Sequence, residues 1–165
     1  MPKKRTYIGI DPATKTGFAL PGNSGFWDLK VKTEAKSLGR KAEPRHCRPG
    51  KLFVHLDELR ASLGKPEDLD IVLVCEGAAA FTRGKAAVRL SHELRGAVQT
   101  WCWVNDVTYV EIEPQDLKKF ASGKGNTPKE VMVEIARSKY KPDCTNDDEA
   151  DALHLLAWAQ EHYQL

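Results

Sequence analysis

Long apolar runs are missing from this sequence. Nothing in it approaches the ~20 consecutive apolar residues of a membrane-spanning helix, so no membrane partner is expected. The start, Met1-Pro2-Lys3-Lys4-Arg5, is charged, and no secretory apolar stretch follows it; we expect a cytoplasmic protein. Cysteine is sparse: Cys47, Cys75, Cys102 and Cys144 form no C-x-x-C pair, which favours free thiols over disulfides or zinc. His46-Cys47 lacks the second pair that a zinc site needs. Nucleotide-binding glycine loops are absent too. Between Gly77 and Lys85 the spacing is wrong for a phosphate loop, and Ala86 stands where a Ser or Thr would hold magnesium. No repeat or linker is visible, and 165 residues suit one domain, 1–165.

What is present is an ordinary soluble composition, 41% hydrophobic and 29% charged, with an uneven charge distribution. Eight basic residues lie between Lys30 and Lys51, Arg45 and Arg48 among them, opposed only by Glu34 and Glu43. Residues 143–151 hold five acids: Asp143, Asp147, Asp148, Glu149 and Asp151. A basic surface beside an acidic pocket suits a polyanion held near a metal site. A solvated loop and a helix start would give the same counts.

Hydrophobic patterning predicts strands at 6–10, 17–20 and 25–31, a basic loop at 32–50, and a helix at 51–63. A fully apolar strand at 71–75 follows, then a helix over 84–103 and a strand at 107–112. Pro114 opens a short helix through Phe120, and Gly123-Lys124-Gly125-Asn126 breaks the chain. Thr127-Pro128-Lys129-Glu130 reads as a capping box starting the next helix, and Thr145 as the start of the last, through about His162. This order predicts an α/β domain with a mixed sheet whose first three strands form an antiparallel meander.

Four carboxylates stand where these elements begin or end. Asp11 closes Tyr7-Ile8-Gly9-Ile10, and Glu76 closes Ile71-Val72-Leu73-Val74-Cys75. Asp148 and Asp151 share one face of the last helix. If the ends meet, the acids repel unless divalent cations neutralise them, which is the chemistry of two-metal phosphodiester cleavage. Asp-Pro is also ordinary turn chemistry, and Thr145-x-x-Asp148 is also a capping box. Glu76 and Asp151 have no such structural use, because a buried acid is costly unless paired or coordinated. Lys118, Lys119, Lys124 and Lys129 surround the Gly123/Gly125 break and could contact phosphate. Phe81, with Arg83 and Lys85, could stack on an unpaired base, or Phe81 could be core.

Gly-Ile-Asp11-Pro after a strand, a strand ending in Glu76, and Asp148-Glu-Ala-Asp151-Ala-Leu together resemble the RuvC-type Holliday junction resolvases of the ribonuclease H-like fold. Residues 114–119 and 123–131 resemble that family's lysine-bearing region, and the likeness runs from about residue 6 to 160. The resemblance implies a mixed five-stranded sheet with flanking helices, and a homodimer built on helix 84–103. It also implies an endodeoxyribonuclease that resolves four-way DNA junctions with paired nicks. Asp11, Glu76, Asp148 and Asp151 would bind two Mg²⁺ or Mn²⁺ ions, while Lys118 and Lys129 would assist at the scissile phosphate. Phe81 lies near the place of the family's junction-probing aromatic, at a different spacing. Ala13 replaces a usual glycine, the turn after Asp11 is one residue tighter, and the basic stretch 32–51 is larger than in typical bacterial members. These departures resemble the phage-encoded branch, for which the compartment would be the bacterial host cytoplasm. Related nucleases that cut flaps, forks or other branched DNA would use the same acids. A non-catalytic DNA-binding module would not need them intact.

Overall fold

Alternation along two central strands organises the molecule. In β1 (Lys4–Asp11), Ile8 and Ile10 face one side of the sheet, and Tyr7, Gly9 and Asp11 face the other. In β4 (Leu69–Glu76), Ile71, Leu73 and Cys75 share the first side, and Val72, Val74 and Glu76 the second. Both strands are buried on both faces, which explains their nearly continuous apolar runs. The structure, a computed structural model, describes residues 3–30, 47–78 and 84–163. The expectations for Arg45, Phe81 and Arg83 lie outside the described residues.

Five strands form one sheet in the order β3-β2-β1-β4-β5, with β2 (Lys15–Leu20), β3 (Asn23–Asp28) and β5 (Thr108–Ile112) completing it. β1, β2 and β3 pair antiparallel, while β1–β4 and β4–β5 are parallel, as the mixed sheet with an antiparallel meander requires. Two helices, α1 (Cys47–Leu63) and α2 (Lys85–Val104), cover the first face around Leu52, Leu56, Leu94, Val98 and Trp101. They are tied together where the Trp101 indole N–H donates to Asp57 at 2.7 Å. On the second face lie α3 (Pro114–Ser122), α4 (Lys129–Lys139) and α5 (Asp147–His162). Among the described residues no helix is long and apolar enough to cross a membrane.

Four boundaries correct the expectations. Residues 47–50, expected in the basic loop, belong to α1, because Pro49 sits where a first helical turn tolerates it. The third strand stops at Asp28, and Leu29 leaves the sheet for the core. Neither expected threonine cap forms. The Thr127 hydroxyl donates to the Lys124 carbonyl at 2.8 Å and contacts the Ser122 hydroxyl, so the cap position of α4 falls on Pro128, which has no side-chain acceptor. α5 is capped by Asn146, whose Oδ1 accepts from the Glu149 N–H at 3.0 Å; Thr145 lies one residue too early.

Candidate active site

The parallel register that pairs Ile10 with Cys75 sets Asp11 and Glu76 side by side on the second face. α5 lies directly on that face because two glycines leave room for it. A Cβ on Gly9 would meet the Ala152 carbonyl oxygen at 2.3 Å, and one on Gly17 the Asp148 carbonyl oxygen at 1.8 Å. The helix start is further held by Glu149. Its Oε1 accepts from Ser24 of β3 at 2.7 Å and from Lys141 at 2.6 Å, so the acid is buried with its charge matched.

This packing brings together Asp11, Glu76 and Asp151, whose carboxylate oxygens lie within 4.8 Å of one another. Burial pushes all three pKa values up, and their mutual repulsion adds to it. Glu76 is raised to about 7 by burial and then by Asp151, and Asp151 to about 8 by burial and then by Asp11. Asp11 is raised well above the carboxylate range, by burial first and then by the Glu76 charge. A divalent cation at these oxygens would relieve the same repulsion that raises the three pKa values. An oxygen-only, multiply anionic donor set suits magnesium or manganese.

The fourth acid, Asp148, stands outside the three-acid cluster. Burial and then Asp147 raise its pKa, and Lys129 and Lys15 oppose that shift. Lys129 is committed to Asp147, with Nζ 2.8 Å from its Oδ2; that bond raises the lysine's pKa and lowers the aspartate's. Lys118, half-buried on α3, stabilises the charged form of Glu76. Lys85 is exposed at the first turn of α2, and Lys119 and Lys124 are exposed. Arg48 is half-buried in α1.

One residue that the sequence reading missed is Arg95. Its side chain is buried, donating from Nε to the Glu76 backbone carbonyl at 3.0 Å and from an Nη to the Ser91 hydroxyl at 2.5 Å. The signal was an arginine beside Leu94 within the apolar stripe of α2. Arg95→Met is expected to strand that carbonyl and lower stability by about 1–3 kcal/mol. The loosened Glu76 strand end should also weaken divalent-ion binding. Thermal melting and calorimetric Mn²⁺ titration check both; unchanged Mn²⁺ affinity would make Arg95 a packing residue alone.

The raised pKa values set a pH dependence. Groups protonated more readily in the native than in the unfolded chain stabilise it below their unfolded pKa, and that stabilisation is lost as pH rises through the folded values. Without divalent ions, the melting temperature is therefore expected to fall between about pH 5 and pH 8. Mg²⁺ or Mn²⁺ should raise it more at pH 8.5 than at pH 5.5, where protons compete for the same oxygens. Identical melting at pH 8.5 with Mn²⁺ and with a chelator would exclude a cation at these acids.

No family model matches the chain, and no curated protein does. Solved structures do. The Thermus thermophilus RuvC structure is 21% identical with a TM-score of 0.64, over 94% of this chain and 95% of that one. T. thermophilus RuvC in complex with a Holliday junction substrate is 20% identical with a TM-score of 0.64, over 92% and 90%. The yeast mitochondrial Holliday junction resolvase Ydc2 is 13% identical with a TM-score of 0.60, over 99% and 83%. The chain thus has the ribonuclease H-like α/β fold of these structures, a mixed five-stranded sheet flanked by helices on both faces.

Proposed function

We propose that this protein is a divalent-metal-dependent endodeoxyribonuclease of the RuvC type, resolving four-way DNA junctions by paired nicks. The observation that carries the reading is the convergence of Asp11, Glu76 and Asp151 within 4.8 Å, in a fold whose structural neighbours include a RuvC–junction complex. Asp11, Glu76 and Asp151 would hold Mg²⁺ or Mn²⁺, with Asp148 contributing from the flank. A pair of such ions supplies water activation and stabilisation of the leaving 3′ oxygen. Lys118 and Lys129 would bind the scissile phosphate and offset its developing charge. The Asp147 pair holds Lys129 at the rim of the site beforehand.

Lys85, Lys119, Lys124, Arg45, Arg48, Phe81 and Arg83 are assigned to the DNA arms and the junction centre. Two symmetric cuts call for a homodimer. α2 offers the surface: Gly96, Thr100 and Trp103 follow one another at helical spacing, and Trp103 is 88% exposed. Ala13 and the basic stretch 32–51 favour the phage-encoded branch of the family.

The test is cleavage of a synthetic four-way junction beside a linear duplex of the same sequence, with Mg²⁺. Junction-selective, symmetric nicking supports the assignment. Equal cutting of both substrates would leave a general nuclease, and preference for flaps or forks would move the substrate class.

A further inference from the structure

We propose that Phe26, backed by Lys15, is a stacking platform for an unpaired base of the DNA strand next to the scissile phosphate, approaching from the β3 side. This rests on the nuclease reading and adds a contact to it. The sheet register places Glu76, Asp11, Gly17 and Phe26 in one row on the same face: Asp11 pairs with Gly17, and Gly17 with Phe26. Two strand spacings separate Phe26 from Asp11, about 10 Å. That is the reach of about one or two nucleotides from a phosphate held at the acids. The main chain at Asp148 lies over Gly17, between the two, so Phe26 stands on the outer flank of α5's first turn.

Phe26 packs in no core cluster and is 44% exposed. Its cross-strand neighbour on this face is a glycine, which gives the ring nothing to lean on. Lys15 Nζ lies 5.7 Å from the ring centroid, and the same lysine acts on Asp148. An exposed aromatic with a cation beside a phosphate-cleaving site is the combination that holds single-stranded nucleic acid: the ring stacks a base and the cation meets the backbone.

The experiment compares the parent chain with Phe26→Leu and Phe26→Tyr on a four-way junction carrying 2-aminopurine beside the cut, in Ca²⁺ to hold the complex uncleaved. The leucine variant should bind on the order of tenfold more weakly with reduced 2-aminopurine quenching, while the tyrosine variant stays within about twofold of the parent. Melting temperatures should not change. Leucine binding as well as the parent would overturn the platform, as would equal weakening by leucine and tyrosine. Parent cleavage in Mg²⁺ keeps the two ideas apart. If the parent cuts the junction but Phe26→Leu binds normally, the platform falls and the nuclease stands. If the parent cuts nothing yet binds a single-stranded oligonucleotide through Phe26, the platform stands and the nuclease falls. If the parent binds no nucleic acid, both fall.

Discussion

Asp11→Asn is expected to lower junction cleavage at least ~10³-fold while leaving junction binding intact. A charge-stabilising contribution of several kcal/mol disappears with the carboxylate, at 1.36 kcal/mol per decade of rate. The substitution should also have the opposite effect on the metal-free fold. Asp11 sits among Glu76 and Asp148, whose charges raise its pKa, so a neutral amide relieves repulsion that grows with pH. In chelator at pH 8.5, Asp11→Asn should melt higher than the parent, and Mn²⁺ should stabilise it less. Retained cleavage would remove Asp11 from the mechanism, and a lower melting temperature at every pH would make it a structural acid.

Gly17→Ala should be the most damaging single-methyl change in the sheet. The added carbon would meet main-chain atoms of Asp148 at 1.8 and 2.4 Å, and backbone cannot swing aside as a side chain does. Overpacking of this kind costs on the order of 1–3 kcal/mol or more, and at roughly 2–4 °C per kcal/mol the melting temperature should fall by about 5–10 °C. Because α5 must lift, Asp151 moves away from Asp11, and cleavage should drop further than stability alone explains. Gly50→Ala, where an added Cβ has open space, is the control and should be neutral or slightly stabilising. A Gly17→Ala protein with parental melting and rate would show that α5 is not seated as described.

Much of the architecture was legible because the determining signals are local. The runs ending at Asp11 and Glu76 belong to strands covered on both faces, and such runs read plainly. That the two acids come together stood only as a condition, and the parallel register of β1 and β4, which no single strand encodes, meets it. Cap identity was less legible: Thr145, Asn146 and Asp147 all suit a helix start, and one residue of phase decides among them. The contacts made across long sequence separations were hidden. Ser24 meets Glu149 across 125 positions, and Arg95 meets the Glu76 carbonyl only once α2 has docked. Phe26 acquired its place beside the acids through the register of three strands, which no single segment encodes.

At the far end of α5, the Tyr7 hydroxyl donates to the Tyr163 carbonyl at 2.5 Å. With Glu149 tying the other end to Ser24 of β3 and to Lys141, the helix is pinned at both extremities and cannot slide along its axis. A slip of one residue would carry Asp151 about 1.5 Å along the axis relative to β1. Displacements near 1 Å can cost on the order of a hundredfold in rate. A phenol bonded to a carbonyl twelve residues beyond Asp151, about 18 Å along the helix axis, thereby acts as the axial stop for the chemistry at the opposite end.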